Sequence, residues 1–147
     1  MEGALRRAAP LLVLALLPGC AGHRAGWASR GRYEVLYETP SVQIRRGAQK
    51  IDPQTGELVL AWAGARTPEG QPELVACDLT VFDDHDADGA PGADEILAFR
   101  ENREPTAKIV FGDVRVRPKS SATLKARIVA STAKERCVVS WRVAPDG

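Results

Sequence analysis

An all-β fold is predicted for this chain, as a single β-sandwich-like domain of about eight strands over residues 33–147. Three observations predict it. Apolar residues recur with period two in short stretches, as they do in strands with one buried face. β-Branched residues fill those stretches, and none carries a sustained helical apolar stripe. Turn-forming clusters interrupt them at intervals typical of antiparallel sandwiches, namely Pro40-Ser41, Arg66 to Pro72, Glu104-Pro105 and Pro118 to Ser121.

The first strands are set by Tyr33, Val35 and Tyr37, then by Val42 and Ile44. Leu58, Leu60 and Trp62 share one parity of the next. Asp52-Pro53-Gln54-Thr55-Gly56 precedes that strand and predicts a hairpin turn, with proline fixing one dihedral and glycine tolerating a positive one. Leu74 to Phe82 follows, with Val75, Cys77, Leu79 and Val81 on the inward parity. A segment from Glu95 to Arg100 is assigned as a strand, although Ala93 to Glu104 also has the composition of a short helix. Ile109 to Arg117, Thr123 to Ala130 and Arg136 to Val143 complete the set, with Val114, Val116, Leu124, Ala126 and Ile128 inward, and Cys137, Val139, Trp141 and Val143 on the inward parity of the last. A strict immunoglobulin topology is not predicted, because no tryptophan lies between Cys77 and Cys137.

Residues 1–19 carry Arg6 and Arg7, an apolar run from Leu11 to Leu17, and end in Leu17-Pro18-Gly19 before Cys20. This is the pattern of a secretory signal. The apolar run is far short of the roughly 20 residues that a membrane-spanning helix needs. Leu-x-Gly-Cys at its end resembles the bacterial lipobox, although Pro18 stands where a small residue is usual. The resemblance implies cleavage before Cys20, lipidation of Cys20 and a membrane anchor in the cell envelope. Ala21 after the cysteine resembles lipoproteins sent to the outer membrane, if the host is diderm. An ordinary secretory signal, cut a few residues later, is the alternative. Residues 20–32 have no period and are predicted to be a flexible tether, although Trp27 beside Arg24, Arg30 and Arg32 could touch a membrane interface.

An exported chain favours pairing of its remaining thiols. A Cys77–Cys137 disulfide is therefore expected, the alternatives being two free buried cysteines or a metal pair. No Cys-x-x-Cys spacing supports zinc or thioredoxin-like chemistry. The chain from Cys20 onward has 128 residues, enough for one domain with a real core, and balances 18 basic against 18 acidic side chains. That balance gives no case for nucleic acid. The distribution is dipolar, since residues 67–104 hold eleven acids against two arginines and residues 105–147 hold nine bases against three acids.

Within the acidic half, residues 84–95 read Asp-His-Asp-Ala-Asp-Gly-Ala-Pro-Gly-Ala-Asp-Glu. Carboxylates fall at positions 1, 3, 5 and 12, with glycine at position 6. Over these twelve residues the chain resembles an EF-hand loop, which implies one calcium ion held by Asp84, Asp86, Asp88, the Ala90 carbonyl and Glu95. The wider acidic loop spans residues 83–95. Two departures separate it from a true EF-hand: Pro91 at position 8 cannot donate the bridge bond usual there, and Leu79 to Phe82 before it forms a strand pattern. Asp-rich loops between strands in bacterial exported proteins are the nearer likeness. The alternative is a solvated acidic turn without metal. His85, at position 2, is expected to face solvent.

Arg115 and Arg117 share one parity of a strand, and Lys125 and Arg127 one parity of the next. Paired as a hairpin they would form a basic face for an anionic glycan, a surface polymer or an acidic envelope partner. The alternative is the wet side of an amphipathic sheet. No nucleophile motif, metalloprotease motif or phosphate-binding glycine loop occurs, and the two histidines are His23 and His85. The expectation is a non-catalytic, lipid-anchored envelope module with a structural calcium loop. An anion-binding module is the rival.

Overall fold

Among the described residues nine strands form where the period-two stretches predict about eight; the additional one, Gln49–Ile51, has no alternating apolar pattern to announce it. They are β1 Glu34–Glu38, β2 Gln43–Arg46, β3 Gln49–Ile51, β4 Leu58–Arg66, β5 Leu74–Asp83, β6 Ile96–Asn102, β7 Lys108–Val116, β8 Leu124–Thr132 and β9 Arg136–Arg142. These come from a computed structural model that describes residues 33–119 and 122–146. The predicted signal (1–19), the tether (20–32) and Cys20 lie outside the described residues.

All pairings are antiparallel and fall into two sheets. In the first, β1 pairs β2, and β2 and β3 run in succession along one edge of β4, whose other edge pairs β7. The second has the order β9-β8-β5-β6. The break between β2 and β3 is a local excursion at Gly47-Ala48. There the Gly47 amide donates to the Trp62 carbonyl and the Ala61 amide to the Ala48 carbonyl, both at 2.8 Å. A β-carbon on Gly47 would sit 2.1 Å from Trp62 Nε1, so glycine is what lets the indole lie against this turn. The Asp52–Gly56 hairpin forms as predicted, with Gly56 at φ 75° and its amide donating to the Asp52 carbonyl at 2.7 Å.

The core lies between the sheets; among the described residues its buried cluster comes from residues 42–143, with Leu36 and Tyr37 packed against it. Inward positions predicted from parity are buried at Cys77, Leu79, Val81, Val114, Val116, Leu124, Ala126, Ile128, Cys137 and Val143. Each large apolar side chain so buried contributes about 1.5–3 kcal/mol. Parity fails at three places. On β1 the register shifts between Val35 and Tyr37, so Leu36 and Tyr37 pack against the core while Tyr33 and Val35 are exposed. On β4 the core positions are Leu58 and Leu60, then Ala63 and Ala65, so Trp62 is buried outside the main cluster. On β5 the register shifts between Leu74 and Ala76, which turns Leu74 inward and leaves Val75 45% exposed. The stretch 93–104 forms a strand rather than a helix, because β6 completes the edge of the second sheet against β5.

The expected Cys77–Cys137 disulfide is absent, and both thiols are free and buried. The register gives the reason. Cys77 on β5 and Cys137 on β9 both lie opposite Ala130 on β8, one on each side. They are therefore two strand spacings apart, roughly 10 Å, whereas a disulfide needs α-carbons within about 7 Å. Burial pushes the Cys77 thiol up to about 12, with the Asp78 carboxylate adding to it. Burial also raises the Cys137 thiol, followed by its contact with Glu135. Both behave as small apolar residues of the core.

Candidate metal centre

The acidic loop joins the second sheet's β5 to its edge strand β6, so its two ends are fixed by the ladder. The Asp83 amide donates to the Glu95 carbonyl at 2.9 Å, which closes the loop, and the Asp84 amide donates to the Thr123 carbonyl at 2.9 Å, which ties it to β8. The Thr123 hydroxyl also donates to an Asp83 carboxylate oxygen. Asp84 and Glu95, the first and last predicted ligands, are thereby drawn under the loop. Both are buried, whereas Asp86 and Asp88 are exposed.

Local backbone chemistry aims the carboxylates. Asp86 accepts from the Asp88 amide at 3.2 Å and Asp88 from the Ala90 amide at 3.0 Å. These are Asx turns, in which a side chain closes its own reversal. Gly89 adopts φ 79°, a left-handed conformation open to glycine, and its amide donates to Asp84 Oδ2 at 3.1 Å. Gly92 donates to Glu95 Oε1 at 2.8 Å, and a β-carbon there would come within 3.3 Å of that same oxygen. Asp84, Asp86, Asp88 and Glu95 then each present a carboxylate oxygen within 4.8 Å of the others, a group able to hold a metal ion. Ala90 sits in the same turn, exposed, with its amide spent on Asp88.

Two features of the cluster lie beyond the contiguous motif. Lys125 reaches in from β8 and donates from Nζ to Asp84 Oδ2 at 2.6 Å. That contact, opposed by burial and supported by the Gly89 amide, holds the Asp84 carboxyl below the usual carboxylate range. One oxygen is left wanting. Glu95 Oε2 is buried and has no hydrogen-bond partner, and its side chain is only 1% exposed. His85 Nδ1 lies 3.7 Å from that oxygen, beyond hydrogen-bonding distance. His85 faces solvent as expected, at 57% side-chain exposure, yet its ring spans Glu95 and Asp94.

The predicted basic hairpin does not form. β7 pairs β4 in the first sheet, whereas β8 pairs β5 and β9 in the second, so Arg115 and Arg117 are not neighbours of Lys125 and Arg127. The chain crosses between sheets at residues 117–123 instead of turning back. Arg115 is occupied by Asp52 at 2.8 Å, Asp113 and Glu57, and Arg117 is exposed. Lys125 belongs to the acidic loop.

On the first sheet a shallow groove is bordered by Tyr33, Arg46, Gln49 and Asp146. Its polar groups satisfy one another: Arg46 pairs with Glu34 at 2.8 Å and Asp146 at 3.2 Å, and Gln49 accepts from Trp141 Nε1 at 2.7 Å. Comparisons with protein-family models, curated proteins and solved structures find no match for this chain.

Proposed function

We propose that this chain is an exported, lipid-anchored module of the bacterial envelope, non-catalytic, whose sandwich is stapled by one structural calcium ion in the 84–95 loop. The observation that carries the calcium reading is Glu95 Oε2. A buried carboxylate oxygen without a donor is costly, and here it sits among three more carboxylates, an arrangement that a cation resolves. Oxygens on opposite sides of a calcium ion lie roughly 4.6–5.2 Å apart, and those across magnesium about 4.0–4.2 Å. The four oxygens of the cluster lie within 4.8 Å of one another, which a calcium shell accommodates. The Asp84 oxygen held by Lys125 is already in use, so Asp84 contributes one oxygen, and the loop supplies a modest site of the kind that suffices where calcium is abundant.

Calorimetric titration of calcium into the chelator-stripped fragment begun at Tyr33 tests this. One ion per chain and a raised melting temperature are expected. Replacing the exposed Asp86 and Asp88 by Asn should abolish the heat while leaving the metal-free melt near its original value. Absence of heat at millimolar calcium would make the loop a solvated turn.

Anchoring rests on the Leu17-Pro18-Gly19-Cys20 sequence. Cells expressing the full chain and fed an alkyne fatty acid should label the protein and recover it with membranes. Cys20→Ser should lose the label. Retained label in that variant would remove Cys20 as the anchor.

A further inference from the structure

The outer face of the second sheet combines cations and apolar side chains in a way that the wet side of a sandwich does not require. Its rows follow from the register. One row is Arg142–Lys125–Phe82–Ile96 and the next is Ser140–Arg127–Thr80–Phe99, running from β9 through β8 and β5 to β6. Acids on the strands of this face are engaged, Arg103 holding Asp78 and Glu101 and Lys125 holding Asp84, while the exposed Asp86, Asp88 and Asp94 lie in the loop that precedes Ile96. Arg127, Arg136 and Arg142 have no acidic partner among the described residues, and Arg127 Nε is buried without a hydrogen bond. On the same face, Ile96, Leu97 and Phe99 on the edge strand β6 and Val138 on β9 stand 39–45% exposed. They account for half of the large hydrophobic side chains exposed among the described residues.

We propose that this face docks on an anionic lipid surface, with the three arginines against headgroup phosphates and the apolar chains at the acyl boundary. Guanidinium groups take phosphate oxygens two at a time, and their unpartnered state calls for an anion. Aliphatic and phenyl groups gain from leaving water only where the occupant also offers hydrocarbon. A polyanionic glycan or free phosphate would satisfy the arginines and do nothing for Ile96 or Leu97. A bilayer rich in anionic lipid supplies both chemistries. The proposal is independent of the metal.

The test is co-sedimentation of the fragment begun at Tyr33, which contains both sheets and the core of the described residues, with phosphatidylcholine vesicles with or without phosphatidylglycerol. Chelator is present throughout, so that calcium cannot bridge loop and lipid. Binding is expected to vesicles containing phosphatidylglycerol and to weaken with salt. Each basic side chain near an anionic surface is worth roughly fivefold, so Arg127→Gln with Arg142→Gln should weaken partitioning about 25-fold. Arg136→Gln with Arg142→Gln changes exposed side chains alone and should do nearly as much with an unaltered melt. Leu97→Ser with Phe99→Ser should also release the protein. Equal binding to neutral vesicles would overturn the proposal, as would sedimentation that appears only when calcium is added. No binding to either vesicle would also overturn it and leave the face to an acidic protein partner.

Discussion

Glu95→Gln is expected to stabilise the domain in chelator and to destabilise it in calcium. The two effects have one origin. In the metal-free protein Glu95 Oε2 is buried without a donor, in a cluster with Asp84, Asp86 and Asp88. Glutamine keeps the shape, removes one negative charge and places an amide donor beside acceptors, relieving about 1–3 kcal/mol of unmet hydrogen bonding. The Gly92 amide can still donate to the retained carbonyl oxygen, as it does to Oε1 at 2.8 Å. In calcium the same change removes the ligand that closes the loop. A ligand at a hundredfold its Kd adds about 2.7 kcal/mol to the native state, and the variant should lose most of that increment. Urea midpoints of both proteins, with and without calcium, would show the lines crossing. A variant that is less stable in both conditions would mean that Glu95 acts through packing, and the calcium reading would lose its main support.

What could be read from the chain divides along the distance over which each signal acts. Strand positions, the Asp52–Gly56 turn and nearly all inward residues follow from local alternation, because side-chain direction repeats every two residues. The four carboxylates were legible for the same reason, being contiguous. Lys125 as a partner of Asp84 was not, since it lies 41 residues away and arrives only through the β5–β8 register. The cysteines show the limit most clearly. Parity places both in the core, but only strand order reveals that Ala130 lies between them. The basic hairpin fails for a related reason: consecutive strands were assigned to one sheet, and the chain changes sheets there. Nothing in the sequence marks the change of face on β4 that takes Trp62 out of the main core. Gly47, which accommodates its indole, carries no signal until the two are seen together.

Gly64→Ala is expected to be the most damaging single-methyl change in the molecule. Gly64 lies in β4, at the centre of the first sheet, opposite Arg45 of β2 and Val110 of β7. A β-carbon would fall 2.2 Å from the Ile109 carbonyl oxygen and 3.1 Å from Val110 Cα. Both obstacles are backbone, so no side-chain rotation relieves them, and the β4–β7 ladder must move. Overpacking of this kind costs about 3 kcal/mol or more, which for a domain of this size lowers the melting temperature by roughly 10–20 °C. Gly112→Ala is the matched control: it lies in the same ladder opposite Trp62, where its β-carbon would meet only the Ala61 carbonyl at 3.9 Å, and little change is expected. Because the core draws on both sheets, Gly64→Ala should unfold in one transition and not lose the first sheet alone. Gly64 shares no partner with the 84–95 loop, so calcium should raise the stability of variant and parent by the same increment. A calcium increment that shrinks in Gly64→Ala would show that the loop's geometry depends on the first sheet, and the two sheets would then have to be treated as one coupled element in positioning the metal site.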